Sequence, residues 1–409
     1  MSRGANQPSV GNYNQAVILE QIRRAGAMSR VELASITGLS AQTVSNICQR
    51  MIEAGIIAEG TRSTTTSGRG KPPTPLLLVG DSRFAVGVHV DPSVISTVLL
   101  ALDGTVITHR RHPAPTAGEP AKTVRLISRQ VERVLATAAV DRERVVGVGI
   151  AAPGPIDIER GVIVDPPNLG AWHRVPLQRS VSESTGLPVV LDKDVTAAAV
   201  AERWLSPTIR DLNFAFLYLG TGLGLGLVIS GEVVRGGSGN AGEIGHIVVD
   251  PAGPPCSCGQ RGCVAVTCTP AALVGEAERL SVLPRSRVGS DPRSVDDALS
   301  EIVSLARRGN ALASDILERV GERISRMITV VCNLLDVDRV VVGGPLWARL
   351  SPWLESQIPL ALTTRLVAHG IHDVEVVGTT LGANVGAIGA ACLVLDDTLS
   401  PKTDSLLLS

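Results

Sequence analysis

The first eighty residues place apolar side chains at helical spacing, with glycines between the apolar stretches. One apolar stripe predicts a first helix over residues 14–25, and its members are Val17, Ile18, Ile22 and Ala25. The polar residues 1–13 before it are expected to form a flexible tail. Ser29 and Glu32 then have the spacing of a capping box, which predicts a second helix that stops at Gly38.

A third helix, predicted over residues 41–54, has the clearest division into two faces. Its buried face consists of Val44, Ile47, Cys48, Met51 and Ile52. Its other face is polar, and amide and guanidinium side chains can read base edges in the major groove or reach phosphates. A helix-turn-helix results, in which the expected DNA contacts are Ser40, Gln42, Thr43, Asn46 and Arg50. A helical domain that docks another protein is the alternative.

Residues 61–73 are too polar to pack in a core and contain Arg69 and Lys71 among glycines. We interpret them as a wing whose two cations reach a phosphate or an A·T-rich minor groove. Residues 14–80 are therefore predicted to form a winged helix-turn-helix domain. A plain interdomain linker is the other interpretation of residues 61–73.

Beyond residue 80, buried apolar strands alternate with helices, which predicts an α/β fold. Strands are expected at residues 84–90, 96–102 and 188–192, and residues 145–154 are expected to be a buried strand that runs into a turn. Helices are expected at residues 121–139 and 195–204. A second lobe is expected from about residue 214, beginning with a strand and a glycine-rich hairpin. Glycine-rich turns at residues 220–226, 343–344 and 381–389 together suggest a nucleotide cleft or the remains of one.

Composition narrows the class of protein. With 44% hydrophobic residues among 409, most of the chain should fold, but no apolar run reaches the roughly 18 residues of a membrane span. The first residues lack the apolar region of a signal peptide, so a bacterial cytoplasmic protein without a membrane partner is expected. Residues 1–80 hold eight Lys/Arg and four acidic residues in a chain of net charge −1, so a basic module joins an acidic body.

Four residues have the spacing of a metal site. They are His246, Cys256, Cys258 and Cys263. One imidazole and three thiolates form a closed tetrahedral shell, which is typical of structural zinc. Free thiols are the alternative. Cys268 is near enough in sequence to be a spare ligand, but we do not expect it to be one.

Residues 239–246, Gly-Asn-Ala-Gly-Glu-Ile-Gly-His, followed by the cysteine cluster resemble the signature of the ROK family of repressors, open reading frames and kinases. The resemblance extends from the helix-turn-helix to Ala390. It implies an actin-like, ribonuclease-H-like, two-lobed sugar-kinase fold. Its first lobe would comprise residues 81–196 plus 384–409. The second, residues 197–383, would carry the zinc site and an oligomerisation surface. Family members with an N-terminal DNA-binding domain are sugar-responsive transcription factors, and those without it are often hexose kinases.

The resemblance also implies a sugar site. Asp194 matches the catalytic base, Glu243 matches a sugar-binding glutamate, and His246 matches a histidine that touches both zinc and sugar. The expected ligand-binding residues are Gly154, Asn168, Lys193, Asp194, Glu243 and His246.

Three departures from the kinase pattern suggest that phosphoryl transfer is lost. Kinases have Asp-x-Gly-Gly-Thr in the first strand, whereas this chain has a histidine and then Asp-Pro at residues 89–93, with Asp91 expected on the face away from the cleft. Lys193 replaces an asparagine, and Ala265 replaces a glutamate. We therefore expect neither ATP nor Mg²⁺ to bind, and Asp194 to be a vestigial base.

Together these features predict a sequence-specific DNA-binding regulator of carbohydrate metabolism, acting as a repressor. A homodimer or homotetramer would bind a palindromic, A/T-containing double-stranded operator. The changes at residues 89, 193 and 265 make the cleft more positive, so the sugar ligand is expected to be phosphorylated or acidic, or to be absent. Three alternatives stay open: an active sugar kinase that also binds DNA, a ligand-independent regulator with an oligomerisation scaffold, and a Lys193 that merely neutralises Asp194.

Overall fold

The chain folds into a small N-terminal domain followed by two α/β lobes. This computed structural model describes residues 7–61, 74–115, 119–167, 169–209, 212–285 and 292–400. Three predicted site residues, Arg69, Lys71 and Asn168, lie outside the described residues.

The N-terminal domain combines three helices with a small antiparallel sheet. Its elements are α1 (Gln7–Ala25), β1 (Ala27–Ser29), α2 (Arg30–Thr37), α3 (Ala41–Glu53), β2 (Ile57–Glu59) and β3 (Pro75–Leu78). β3 lies between β1 and β2 and pairs antiparallel with both, and residues 62–73, which belong to the predicted wing, lie outside the described residues. This arrangement is the winged helix that the sequence predicted.

Local capping sets the bounds of α2 and α3. The Glu32 carboxylate accepts the Ser29 N–H at 2.7 Å, and the Ser29 hydroxyl accepts the Glu32 N–H at 3.3 Å, which confirms the capping box. Gly38 then ends α2 with a left-handed φ of 68°. The Ser40 hydroxyl accepts the Thr43 N–H at 3.2 Å, so Ser40 is the N-cap of α3.

The predicted flexible tail over residues 1–13 is wrong for residues 7–13, because α1 begins at Gln7. The expectation relied on the polar composition of this segment, which is rich in glycine, asparagine and serine. Once a helix is nucleated further along the chain, however, each added residue gains one hydrogen bond, and Pro8 is tolerated in the first turn, where its N–H would have no intrahelical partner.

The first lobe is built on a five-stranded sheet of order β10-β7-β4-β5-β6. Its elements are β4 (Phe84–Val90), β5 (Val94–Ala101), β6 (Val106–Pro113), α4 (Pro120–Ala138), β7 (Val145–Ala152), β8 (Ile156–Asp157), β9 (Val162–Ile163), α5 (Leu177–Thr185), β10 (Val189–Lys193) and α6 (Asp194–Leu205). β4, β7 and β10 are parallel, whereas β5 and β6 continue as an antiparallel meander. One face of the sheet packs against α4 and α5.

The second lobe is also built on a five-stranded sheet, with the strand order β13-β12-β11-β14-β15. Its elements are β11 (Phe214–Leu219), β12 (Leu223–Ile229), β13 (Glu232–Val233), α7 (Val264–Thr267), α8 (Pro270–Arg279), α9 (Pro292–Arg307), α10 (Ala311–Leu335), β14 (Arg339–Gly343), α11 (Trp347–Arg365) and β15 (Glu375–Gly378). The last helix, α12 (Val385–Leu399), returns to the first lobe. The two-lobed α/β fold implied by the family resemblance is confirmed.

The predicted lobe boundary between residues 196 and 197 falls within α6, which is one continuous helix. α6 packs against both α12 and the β11–β12 hairpin. The predicted boundary therefore divides one continuous helix, and the second-lobe sheet begins further along the chain, at Phe214.

Three glycines allow α12 to lie against the backbone of its neighbours. A Cβ added at Gly87 would lie 1.9 Å from the Ala387 oxygen, and one at Gly149 would lie 1.7 Å from the Ala390 oxygen. A Cβ at Gly389 would lie 2.1 Å from the Ala197 oxygen in α6. Helix, sheet and helix therefore approach at distances that exclude any side chain.

The last helix, α12, is apolar along most of its length. Among the described residues, Gly382–Leu399 is the one helical segment that is, by length and composition, long and apolar enough to cross a membrane. Buried residues make up 61% of this segment. Its hydrophobicity serves the interior of the protein.

The N-terminal domain is held to the first lobe at the last turn of α6. The Arg23 guanidinium in α1 lies 3.9 Å from the centroid of the Trp204 ring and donates a hydrogen bond to the Trp204 carbonyl. Glu20 holds the same guanidinium at 2.7 and 2.8 Å. This cation–π contact therefore joins the N-terminal domain to the lobes.

We predict that Gly149→Ala lowers the free energy of unfolding by about 3 kcal/mol, because the added methyl group overlaps the Ala390 carbonyl. Urea denaturation followed by tryptophan fluorescence measures the loss. The control is Gly370→Ala, where nothing lies within 4 Å of the added Cβ, and it should change stability by less than about 0.5 kcal/mol. Equal losses in the two variants would contradict the packing described.

Candidate functional site

The exposed face of α3 presents the polar residues expected to contact DNA. Gln42, Asn46 and Arg50 are exposed, while Val44, Ile47, Cys48 and Met51 are buried beneath them. The Gln42 amide donates to the Asn46 side chain at 2.9 Å, so these two amides form one pre-aligned pair. Thr43 is half-buried, and its hydroxyl lies 2.9 Å from that of Ser40 at the start of the helix.

Four predicted metal ligands converge in the second lobe. One ligand atom from each of His246, Cys256, Cys258 and Cys263 lies within 4.8 Å of the other three. The Cys256 sulfur is 3.4 Å from His246 Nδ1, and the Cys258 and Cys263 sulfurs are 3.6 Å apart. Two thiolates bound to one tetrahedral zinc are separated by about 3.7 Å, so this donor set fits that ion. Cys268 is not part of the cluster.

The backbone of the cysteine loop is fixed by its own hydrogen bonds. Cys256 N–H donates to the Gln260 carbonyl at 2.8 Å, and Gly262 N–H donates to the Pro254 carbonyl at 2.8 Å. Gly262 has a φ of 66°, and a Cβ there would lie 1.5 Å from the Asp250 oxygen. Only glycine fits this turn, which brings Cys263 back beside Cys258.

The thiol groups of the cysteine cluster differ in pKa. A hydrogen bond from the Cys258 backbone N–H lowers the pKa of Cys256 to about 6. Desolvation raises the pKa of Cys263 to about 12. Three thiolates this close together would repel one another, and a bound dication would offset that repulsion.

The cleft between the lobes is crossed by the side chain of Lys193. Its ammonium donates to Glu243 Oε1 at 2.6 Å and to the Ala241 carbonyl at 3.0 Å, with the Asn240 carbonyl at 3.3 Å. The Lys193 side chain is 3% exposed, whereas that of Glu243 is 65% exposed. The close ion pair of Lys193 is therefore with Glu243, while its charge also opposes the rise in the pKa of the neighbouring Asp194.

Asn240 ties the same second-lobe loop to the first lobe. Its side-chain oxygen accepts the Ile156 N–H at 2.8 Å, and its amide donates to the Ile156 carbonyl at 2.9 Å. A Cβ at Gly154 would lie 3.2 Å from the Lys193 side chain and 3.4 Å from the Asn240 oxygen. Three of the expected ligand residues, Gly154, Lys193 and Glu243, are therefore neighbours.

The glycine-poor turn after β4 also reaches across the cleft. Thr221 in the β11–β12 hairpin donates its hydroxyl to Asp91 Oδ2 at 2.6 Å, while Asp91 Oδ1 accepts the Ser93 N–H at 2.8 Å. The expectation that Asp91 faces away from the cleft is wrong. Positions 89 and 91 are two residues apart and share one side of the strand, so both side chains turn toward the cleft.

His89 and Asp194 lie next to this contact. The buried His89 ring lies edge-on to Tyr218, with 5.9 Å between the ring centroids. Desolvation raises the pKa of Asp194, and the neighbouring His89 opposes that rise. Asp194 also accepts the Val195 N–H at 2.8 Å in the first turn of α6.

Several cleft residues had no distinctive signal in the sequence. Arg235 donates to the buried Asp192 at 2.8 Å, which makes a further contact between the lobes. Asn240, Tyr218 and Thr221 were likewise not singled out as individual site residues. Asn240 lies within the motif of residues 239–246, so its position in that motif was the one available indication.

A winged helix joined to a two-lobed sugar-kinase fold defines a recognisable class of protein. Residues 85–397 match the ROK family, and residues 12–69 match the MarR family. The chain belongs to the ROK family.

Known relatives differ in how much of the chain they cover. The xylose repressor of Bacillus subtilis (strain 168) is 25% identical over 98% of this chain and 99% of its own length. The glucokinase of Thermotoga maritima is 30% identical over 76% of this chain and 96% of its own length. The crystal structure of a ROK family transcriptional regulator, a homologue of the E. coli MLC protein, has a TM-score of 0.76 at 23% identity and covers 96% of this chain and 98% of its own. This last likeness shows the same fold.

Proposed function

We propose that the protein is a sequence-specific DNA-binding transcription regulator of carbohydrate metabolism, acting as a repressor in the bacterial cytoplasm. The observation that carries this proposal is the capped, polar-faced helix α3 in a winged helix joined to ROK lobes. The similarity to a xylose repressor covers both parts of the chain, whereas the glucokinase match covers about three quarters of it.

In this proposal α3 enters the major groove. Gln42 and Asn46 have the donor and acceptor atoms that pair with adenine, and Arg50 reaches guanine or phosphate. The wing residues Arg69 and Lys71 would contact the backbone or the minor groove. Since a palindromic operator presents two half-sites, a homodimer or homotetramer would bind it.

Arg50→Ala is expected to weaken operator binding by about 1–3 kcal/mol, because it removes one cationic contact from the recognition face. The operator is first recovered by selecting bound duplexes from a random library with the full-length protein. Gel-shift titration at fixed salt then compares variants. Arg308→Ala removes an exposed arginine in the second lobe and is the matched control. Equal affinities of Arg50→Ala and the unsubstituted protein would refute the placement of α3.

We further propose that the cysteine cluster binds structural zinc through His246, Cys256, Cys258 and Cys263. The supporting observation is a closed set of one imidazole and three thiols with spacings that suit a tetrahedral ion. The zinc would fix the loop that follows Glu243 and leave no open position for catalysis.

Cys258→Ser is expected to lose the zinc and to lower the thermal unfolding midpoint, because metal binding stabilises the folded loop. Metal content is measured by mass spectrometry of the purified protein, alongside a thermal melt. Cys268→Ala, which lies outside the cluster, should keep one zinc per chain. Full zinc occupancy in Cys258→Ser would show that the ligand set is wrong.

The cleft is proposed to sense a sugar or a sugar-derived anion without phosphorylating it. Asp91 places a carboxylate against the Thr221 hydroxyl, in the turn where kinases of this family use glycines to admit phosphate. The negative charge of Asp91 in this turn would repel the phosphate groups of ATP and so disfavour its binding. Lys193 could exchange the exposed Glu243 carboxylate for an anionic group of the ligand.

We expect a phosphorylated sugar to bind more tightly than its neutral parent and Lys193→Met to remove that preference, because the ammonium is the buried cation of the cleft. Calorimetry with xylose, glucose and their phosphate esters measures both affinities. Tight neutral-sugar binding without phosphosugar binding would contradict the charge argument.

Two outcomes would favour the alternatives. Turnover of ATP with a hexose, abolished by Asp194→Asn, would identify an active kinase that also binds DNA. Operator affinity unchanged by every sugar tested would favour a ligand-independent regulator that uses the lobes as an oligomerisation scaffold.

A further inference from the structure

A second basic region lies outside the DNA-binding domain. Residues 106–133 contain six lysines and arginines and two glutamates, in a chain whose net charge is −1. Within this range, residues 106–113 form the exposed strand β6 and residues 120–133 form most of α4. The proposed DNA-binding and ligand sites use none of them.

The arginines of this region are not neutralised by neighbouring carboxylates. Both glutamates have other partners, since Glu119 pairs with Lys122 at 2.6 Å and Glu132 pairs with Arg142 at 3.1 Å. Exposed arginines with no ion pair to any carboxylate in the described part of the chain are Arg110, Arg111, Arg125, Arg129 and Arg133. Their positive potential is therefore available to a partner.

Part of this charge lines a groove of about 330 Å³ between the end of β6 and α4, which we call the basic groove. Its charged or titratable lining residues are His112, Lys122, Arg125 and Arg129. Its apolar lining includes Pro113 and Leu126. The α4 cations recur at positions 122, 125 and 129, so they share one face of the helix.

The basic groove adjoins a free sheet edge. β6 is the last strand in the order β10-β7-β4-β5-β6, so its outer edge pairs with no strand in the described ranges. Arg110 pairs with Thr97 and His112 with Ile95, whose side chain belongs to the core beneath α4. Directly paired residues share a sheet face, so Arg110 and His112 lie on the same side as the α4 arginines.

The position of the groove argues against the operator as its partner. The N-terminal domain packs on the α6 and α12 side of the first-lobe sheet, through Arg23 and Trp204. α4 covers the opposite face of that sheet. DNA on α3 and a ligand in the basic groove would therefore approach from different sides of the lobe.

We propose that the basic groove binds an extended acidic segment of a protein partner, which adds a strand to the edge of β6. Backbone hydrogen bonds to β6 would hold the segment in register, and its acidic side chains would meet Arg125 and Arg129. This interaction is separate from operator binding and from the sugar cleft. It gives the regulator a surface through which another protein controls it.

The probe is a fluorescein-labelled octapeptide with glutamate at every second position and valine or threonine between. Its binding to the full-length protein is followed by fluorescence anisotropy at low salt. The double variant Arg125→Glu/Arg129→Glu should weaken binding at least about tenfold, because it places like charges together. The control Arg307→Glu/Arg308→Glu reverses two exposed arginines at the end of α9 and should change affinity less than about twofold.

Further measurements distinguish strand addition from charge attraction alone and from loss of folding. N-methylation of the peptide backbone at alternate residues should weaken binding by a similar factor if a strand is added. Arg125→Gln/Arg129→Gln gives an intermediate loss if charge acts, and thermal melts of all variants check that they fold. Operator affinity should be the same in both double variants.

Four results would overturn the proposal. Absence of peptide binding up to about 1 mM would mean that the arginines only protect the edge of β6 from unwanted pairing. Equal weakening in both double variants would indicate unspecific charge attraction. Unchanged binding of the N-methylated peptide would exclude strand addition. A tenfold loss of duplex DNA binding in Arg125→Glu/Arg129→Glu would assign the groove to DNA instead.

Discussion

The arrangement of the two lobes depends on the close backbone packing of α12 between the first-lobe sheet and α6. Gly87 and Gly149 in the sheet face backbone oxygens of α12, and Gly389 in α12 faces the Ala197 oxygen of α6. At these distances the position of each element is determined by backbone contact, and no side chain can adjust to a shift. Gly226 in β12 makes the same kind of close contact between the second lobe and α6, since a Cβ there would lie 2.2 Å from the Val195 oxygen. α6 is thereby fixed between the two sheets.

The cleft takes its shape from where α6 begins. Four polar contacts cross between the lobes at this level, and they are Lys193–Glu243, Asp192–Arg235, Asp91–Thr221 and Ile156–Asn240. In each pair the first residue belongs to the first lobe and the second to the other. A molecule that enters the cleft must replace some of these contacts, so its binding is tied to the relative position of the lobes. The exposed Glu243 is the partner that can leave with the least loss of burial.

Local signals in the sequence predicted much of this architecture. Ser29, Glu32 and Ser40 define helix starts through bonds that span only three residues, and the four metal ligands lie within 18 consecutive positions. The long-range partners were not predictable in this way. Lys193 is 50 residues from Glu243, and Thr221 is 130 residues from Asp91, so their pairing depends on the packed lobes. Strand β6 was missed because it is exposed nearly throughout and has no alternating apolar pattern.

Because Arg23 contacts Trp204, α6 connects the cleft, at its first turn, with the N-terminal domain, at its last turn. Lys193 and Asp194 stand at its beginning in the cleft, and Trp204 holds the N-terminal domain at its last turn. A helix of twelve residues is about 18 Å long and behaves as a stiff rod. If α6 and the elements packed on it turned together by about 10° about the cleft, the far end of α6 would be displaced by about 3 Å, comparable to the spacing of neighbouring base pairs. If the protein is a symmetric dimer that binds a sugar in the cleft, as proposed, the two displacements would add, and a small adjustment around the sugar would change whether both recognition helices match their half-sites at once.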